Sequence, residues 1–136
     1  MREHKIQVRV RYSETDQMGV VYHGNYLPYF EIGRVEWLRD KGISYKSLEE
    51  GGIALPIVQL ALNYKKPARY DDVLTIKTTF KSQASVKLEF DCAITNEKNE
   101  LLTTGYFLLV FVDIKSGRPV PPPAHIKALL EKYKDS

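Results

Sequence analysis

The chain has 136 residues, 43% of them hydrophobic, which is enough for a core, so we expect residues 1–136 to form one compact domain. Its single cysteine, Cys92, excludes an internal disulfide and a thiol-based zinc cluster. No apolar run approaches the roughly 18 residues of a membrane span. Together these features predict a cytoplasmic protein without membrane insertion. The net charge of +3, with bases interleaved among acids, argues against a nucleic-acid partner.

Residues 5–12 alternate apolar and polar side chains, which is the period of a strand with one buried face. Residues 13–25 have turn-forming residues at both ends and no sustained period, so we expect a loop that leads to a helix. Over residues 26–41 apolar residues fall three and four apart, which predicts a helix with a wide apolar face. Pro28 lacks an amide hydrogen and fits only in the first turn of that helix.

Both ends of this helix carry sequence signals. Asn25 is the expected N-cap, and Gly42 can adopt the left-handed conformation that ends a helix. Gly33, on the inner face, is expected to permit close approach of a strand, and Trp37 is expected in the core. Arg34 lies three residues after Glu31, a spacing that predicts a salt bridge along the helix or an interface contact.

The rest of the chain is strand-like and ends in a short helix. The predicted strands and the terminal helix cover residues 54–64, 73–80, 86–94, 101–112 and 124–133. The apolar run in the last strand suggests burial on both faces. This order argues for an α+β fold, in which an antiparallel sheet of about five strands wraps around one long helix.

The loop before the helix carries the candidate chemistry. Asp16 lies three residues before Gly19 in this loop. His23 lies seven residues after Asp16, at the expected start of the helix. Backbone amides at a helix start have no intrahelical partner and attract negative charge. A carboxylate beside such amides can transfer an acyl group. Alternatively, Asp16 only shapes a turn and His23 only packs or caps, and spacing alone does not decide between the two interpretations.

Two motifs carry a resemblance that spans nearly the whole chain. They consist of Tyr12, Thr15-Asp16, Gly19-Val20-Val21-Tyr22-His23, Asn25-Tyr26, Phe30-Glu31 and Arg34, and of Tyr64, Pro67-Ala68-Arg69 and Asp71-Asp72. The chain resembles hot-dog-fold acyl-CoA thioesterases of the 4-hydroxybenzoyl-CoA thioesterase family. Within that family it is similar to the branch of short-chain thioesterases associated with the bacterial Tol–Pal system.

The resemblance implies hydrolysis of acyl-CoA to acid and CoA, without a cofactor beyond the CoA of the substrate. It implies that Asp16 acts as nucleophile or general base, and that the amide of His23 or Gly24 polarises the thioester carbonyl. The His23 side chain either handles water or the leaving thiolate, or makes a structural hydrogen bond. The resemblance also implies a homodimer or homotetramer in which two sheets join and each active site lies between subunits.

Substrate contacts follow from the same resemblance. Tyr22 either lines the acyl pocket or packs. The phosphates of CoA need cationic partners, and the candidates are Lys65, Lys66, Arg69, Lys81 and Lys87. Alternatively, each of these residues is only a solvated surface charge. In some relatives the hairpin matching residues 81–87 supplies several basic contacts, whereas here it keeps only its two lysines.

Two alternatives belong to other functional classes. A hot-dog dehydratase needs a histidine and an acid paired across the interface, a motif that Asp16 and His23 do not resemble. A non-catalytic acyl-thioester-binding or scaffold module gains little from a carboxylate beside a thioester. No metal site is expected, because His4, His23 and His125 are scattered without the spacing of ligands.

Overall fold

The computed structural model describes residues 2–134, and within them the chain forms seven strands and three helices. In chain order they are β1 Glu3–Arg9, α1 Tyr26–Asp40, α2 Tyr45–Glu50, β2 Ile53–Ala54, β3 Ile57–Tyr64, β4 Val73–Ala84, β5 Lys87–Thr95, β6 Leu101–Val110, β7 Val112–Asp113 and α3 Ala124–Glu131. Five strands form one antiparallel sheet in the order β1-β4-β5-β6-β3, and β2 pairs with β7. The predicted α+β fold is confirmed. No helix in residues 2–134 has both the length and the apolar character needed to cross a membrane.

The long helix α1 lies directly against the sheet. A Cβ atom built on Gly33 would lie 2.7 Å from both Ile76 Cγ2 and Thr78 Oγ1 on β4, which confirms that this glycine permits close packing. Trp37 is fully buried, with its ring 5.7 Å from that of Phe80, and its Nε1 donates to the carbonyl of Arg2 at 2.7 Å. The core therefore sits between α1 and the face of the sheet that packs against it.

The two ends of α1 differ from each other in how well the sequence predicted them. A 3₁₀ turn over His23–Asn25 leads into the helix. Asn25 occupies the predicted N-cap position, but its backbone angles are helical and its side chain makes no capping hydrogen bond. Its Nδ2 instead donates to the carbonyl of Glu14 at 2.8 Å. Gly42 has φ +85°, which confirms the left-handed end of the helix.

Several predicted boundaries shift, and one helix was missed. β4 extends to Ala84 instead of ending at residue 80, and α3 ends at Glu131 instead of residue 133. β1 ends at Arg9 because the 3₁₀ turn Tyr12–Glu14 begins only three residues later. The strand predicted over residues 54–64 is split at Pro56, which cannot donate to a ladder. The helix α2 was missed, although Ser44 caps it by accepting from the Ser47 amide at 3.0 Å.

The strand β3 is one of the two edge strands of the sheet, and β1 is the other. Strand β3 pairs with β6 on one side and with no strand of residues 2–134 on the other. Val58 is 57% exposed and Leu60 is 40% exposed, whereas the inward side chains of β4 are buried. The neighbouring β6 alternates buried and half-buried residues, so burial of its two faces is unequal, contrary to the prediction.

The expected salt bridge along α1 does not form. Arg34 is 2% exposed, and its guanidinium carbon lies 4.4 Å from the centroid of the Phe107 ring. No ion pair joins it to the exposed Glu31 within the described residues. Arg34 turns inward over an aromatic face instead, where a guanidinium stacks favourably.

Candidate active site

Asp16 opens a tight turn that its own side chain stabilises. Its Oδ1 accepts from the Met18 amide at 2.9 Å, and its carbonyl accepts from the Gly19 amide at 3.0 Å. Gly19 has φ +78°, a conformation that suits glycine. Asp16 therefore does shape the turn, but only one of its two carboxylate oxygens, Oδ1, takes part. Oδ2 accepts no hydrogen bond from any side chain or amide in residues 2–134.

This turn is tied to the body of the protein behind Asp16. The Asp16 amide donates to the Val20 carbonyl at 2.9 Å, and the Val21 amide donates to the Ala68 carbonyl at 2.8 Å. Val21 and Ala68 are both buried, and the Ala68 amide in turn donates to the hydroxyl of Tyr26 at 3.2 Å. Burial raises the pKa of Tyr26, so this hydroxyl stays neutral. The loop is anchored to the first turn of α1.

An open cavity of about 340 Å³ lies where the loop meets the helix start. Asp16 is exposed and forms part of its wall. The full lining is Asp16, Val20, Val21, His23, Tyr26, Tyr64, Lys65, Lys66 and Pro67. The structure therefore brings the two principal residues of the sequence prediction, the loop carboxylate and the histidine, to one cleft.

The turn at His23 leaves backbone donors unused. The Asn25 amide donates to the Tyr22 carbonyl at 2.8 Å, whereas the amides of His23 and Gly24 donate to no group in the described chain. The hydroxyl of Tyr64 donates to the His23 carbonyl at 3.2 Å and fixes the turn from the side of β3. Two free N–H groups at the positive end of a 15-residue helix can bind an oxyanion.

Tyr22 packs beside this turn. Its ring lies 4.3 Å from that of His23 and remains half exposed. A Cβ on Gly24 would lie 2.7 Å from Tyr22 Cε2, so the glycine makes room for the ring. Tyr22 is not part of the wall of the cavity that holds Asp16.

The candidate cations divide into two groups. Lys65 and Lys66 reach the cavity because both amides donate to one carbonyl, that of Leu102, at 2.8 and 3.1 Å. Lys66 pairs with Glu100 at 2.8 Å. Arg69 lies in a neighbouring cavity of about 210 Å³ that shares Pro67 with the first.

Lys81 and Lys87 lie far from Asp16 within one chain. Val73, at the start of β4, adjoins the anchored loop through Arg9, and Lys81 is eight residues further along the strand. At about 3.3 Å per residue, Lys81 lies about 26 Å along β4 from Val73. Lys87 begins β5, across the hairpin from Ala84. Within the chain, these two lysines do not join the cavity.

Sequence reasoning missed how Glu14 and Tyr29 support the site. Glu14 accepts a hydrogen bond from the Tyr29 hydroxyl at 2.8 Å. The signal available in the sequence was weak, because acidic residues before a helix and tyrosines on its inner face have many ordinary roles. In the described part of the chain no group of three or more His, Cys, Asp or Glu side chains could hold a metal ion.

An antiparallel five-stranded sheet packed on one long helix, with a carboxylate loop at the start of that helix, is the architecture of the hot-dog fold. A model of the Thioesterase-like superfamily matches residues 10–130, and the chain belongs to that family.

Named relatives and a solved structure agree with this assignment. The chain is 37% identical over 121 residues to the acyl-CoA thioester hydrolase YbgC of Escherichia coli O6:H1, covering 89% of this chain and 90% of that protein. It is 32% identical over 128 residues to the acyl-CoA thioesterase YbgC of Haemophilus influenzae, covering 93% of each. The crystal structure of a DHNA-CoA thioesterase from Staphylococcus aureus has a TM-score of 0.93 and 32% identity, covering 97% of this chain and 91% of that one.

Proposed function

We propose that this chain hydrolyses acyl-CoA thioesters to the free acid and CoA, with Asp16 as the catalytic carboxylate. One observation carries the proposal: Asp16, with a carboxylate oxygen that has no partner in residues 2–134, and His23, with a backbone amide that has none there either, line one cavity. The Gly24 amide, equally without a partner, follows directly in the chain, although Gly24 itself is not part of the cavity wall. The names of the relatives, acyl-CoA thioester hydrolase and acyl-CoA thioesterase, support the class of substrate.

The proposed chemistry uses both halves of the site. The thioester oxygen accepts hydrogen bonds from the His23 and Gly24 amides, which stabilise the charge that develops on it. Asp16 either attacks the carbonyl carbon and forms a mixed anhydride that water hydrolyses, or takes a proton from the water that attacks. In both routes the carbon–sulfur bond breaks and the CoA thiolate takes up a proton. We propose that the imidazole of His23, in the same cavity wall, donates this proton and regains one that the attacking water releases.

We further propose that the working form is at least a homodimer joined along β3. An unpaired edge strand with apolar side chains is a template for pairing with another chain, and Val58 and Leu60 are exposed there. A two-fold axis through an antiparallel β3 pair sets the Tyr64 end of one copy beside the Ile57 end of the other. Tyr64 lines the cavity of Asp16, so the site meets the second copy.

This pairing gives Lys81 and Lys87 a role across the dimer. In each chain Ile57 pairs with Leu109, and Lys87 pairs with Val110 two strands from the edge. The hairpin of the second copy therefore lies towards the cavity end of the joined sheet. Lys87 on β5 is three strand spacings, or about 14 Å, from Tyr64, and Lys81 on β4 is four spacings, or about 19 Å, across the sheet. We propose that these two lysines bind CoA phosphates in trans, and that Arg69 does so in cis beside Pro67.

The finer assignment, to the branch associated with the Tol–Pal system, is also a proposal. It depends on the loop motif of residues 12–34 and leads us to expect a preference for short acyl chains.

A thiol-release screen of the purified protein across short, long and aromatic acyl-CoAs tests the function. Turnover of at least one class, with stoichiometric acid, is expected. Tight binding of acyl-CoA without thiol release would contradict the proposal and would favour the non-catalytic acyl-thioester-binding module. Sedimentation of the same sample reports the oligomeric state.

A further inference from the structure

Glu14 uses both oxygens of its side chain just before the site. It ends the 3₁₀ turn Tyr12–Glu14, and its side chain is 16% exposed. Oε1 accepts from the Arg11 amide at 2.8 Å and from the Tyr29 hydroxyl at 2.8 Å. Oε2 accepts from Arg11 Nε at 3.2 Å and Nη2 at 3.1 Å. The carboxylate is thus held by its own turn and by α1.

The backbone carbonyl of Glu14 reaches the opposite wall of the site. It accepts from the Tyr22 amide at 3.0 Å and from Asn25 Nδ2 at 2.8 Å. Tyr22 and Asn25 flank the His23–Gly24 amides, and Asp16 lies two residues after Glu14. Glu14 therefore accepts hydrogen bonds from the residues on both sides of the free amide pair, and it lies two residues before the proposed catalytic carboxylate.

Tyr29 is a rigid support for this arrangement. It is buried on α1, and its ring meets that of Tyr26 edge to face at 6.0 Å. Burial and the hydrogen bond to Glu14 raise the pKa of Tyr29. Partial burial raises the pKa of Glu14, but hydrogen bonds from Arg11 and Tyr29 outweigh it and leave that pKa below its usual value. The hydroxyl therefore remains the donor and the carboxylate the acceptor at neutral pH.

We infer that Glu14 is a positioning residue, which holds the Asp16 loop and the His23–Gly24 amides at a fixed separation without touching substrate. This inference depends on the proposed thioester hydrolysis. The physical reason is that a carboxylate and an oxyanion site act together only when their separation is maintained to a fraction of an ångström. A loop tied only by its own Asp16 turn would keep its shape but would move relative to α1.

Two substitutions remove the support in graded steps. Tyr29→Phe keeps the ring and deletes only the bond to Glu14, and we expect kcat to fall about tenfold with KM within about twofold. Glu14→Gln weakens the contacts to Arg11 as well, and we expect a larger loss. The bond from Tyr29 is one of several that Glu14→Gln weakens, so the two losses should not add and the double variant should lose little more than Glu14→Gln alone.

A matched control lies on the outer face of the sheet. The Tyr106 hydroxyl donates to Glu89 there, and the Tyr106 ring lies 5.0 Å from Lys81 Nζ. Tyr106→Phe keeps the ring and deletes one tyrosine–glutamate bond, so it should leave kcat unchanged and any effect through Lys81 should be confined to KM. Amide exchange of Tyr22 gives a readout independent of turnover, and it should accelerate in Tyr29→Phe and Glu14→Gln but not in the control.

The outcomes separate this inference from the proposed function. An active wild type whose Tyr29→Phe and Glu14→Gln variants keep kcat, with only the melting temperature lowered, would show a purely structural role and overturn the inference. Unaltered exchange of the Tyr22 amide would overturn it too. A wild type that releases no thiol from any acyl-CoA would overturn the proposed function, and the positioning role with it.

Discussion

Replacing Gly33 by alanine tests how closely α1 must approach the sheet. The added Cβ would lie 2.7 Å from Ile76 Cγ2 and Thr78 Oγ1, about 0.7 Å inside the 3.4 Å at which ordinary contact begins. Ile76 and Thr78 are both fully buried, and β-branched side chains have little freedom to turn away. The helix itself must therefore move outward.

The expected cost is the difference of two opposing effects. Overpacking of this kind typically costs about 1–3 kcal/mol, and the better helix propensity of alanine recovers at most about 1 kcal/mol. A net loss of about 1–2 kcal/mol corresponds, in a chain of this size, to a melting temperature lower by about 3–8 °C. Moving α1 also shifts the His23 and Gly24 amides, so kcat should fall by more than the loss of folded protein explains.

Thermal unfolding and thiol release measured on the same samples check both effects. Gly51→Ala is the matched control, since its Cβ would meet only the Leu48 and Ser47 carbonyls, at 3.4 and 3.5 Å, and should be neutral or slightly stabilising. A Gly33→Ala protein as stable and as active as wild type would refute the close packing of α1 on β4.

Three further predictions concern the edge strand, the buried thiol and the acid limb of stability. The double variant Val58→Lys and Leu60→Lys should abolish self-association in sedimentation, because charges block pairing of edge strands. The control Thr79→Lys, on the outer face of the sheet, should still self-associate. A double variant that remains dimeric would exclude the β3 interface. Burial raises the pKa of Cys92 to about 12, so an alkylating reagent at pH 9 should label this thiol only after unfolding. Because the pKa is raised in the folded state, the neutral thiol stabilises the fold below the ordinary pKa of a cysteine. This stabilisation should disappear as the pH rises towards 12. Glu14 has a lowered pKa in the folded state, so its contribution to the free energy of unfolding is present above its ordinary pKa of about 4.5 and should disappear on acidification. The free energy of unfolding, measured from pH 3 to 7, should therefore fall less steeply on acidification for Glu14→Gln than for wild type. An identical dependence on pH would contradict this.

The fold and the centre of the site could be predicted from the sequence because their signals are local. The helix period over residues 26–41 identified α1, and alternation identified β4 and β5. Gly42 was recognisable because few other residues accept φ +85°. Asp16 and His23 stood close together in a motif, and chain proximity made their common cavity foreseeable.

What could not be predicted depended on contacts between distant segments. Asn25 has the residue type of an N-cap, but the carbonyl of Glu14, eleven residues earlier, takes its side chain. Arg34 has the spacing of a salt bridge with Glu31, yet it turns over Phe107 on β6. The separation of Lys81 from Asp16 follows from the length of β4 and is invisible in residue types.

The supporting hydrogen bonds around the site were equally hidden. Tyr64 belongs to the motif, but its bond to the His23 carbonyl joins residues 41 positions apart. The short helix α2 lacks enough turns for a clear period, and only the cap at Ser44 marked it.

The central claim is that the charge of Asp16 performs the hydrolysis, and Asp16→Asn tests it most directly. Asparagine keeps the oxygen that accepts from the Met18 amide, so the turn should persist. Asp113→Asn is the matched control, since Asp113 accepts from the Ser116 amide in a similar turn at 2.9 Å, away from the site. We expect Asp16→Asn to lower kcat for acyl-CoA hydrolysis at least about a hundredfold with an unchanged melting temperature. Turnover equal to that of wild type would contradict the account.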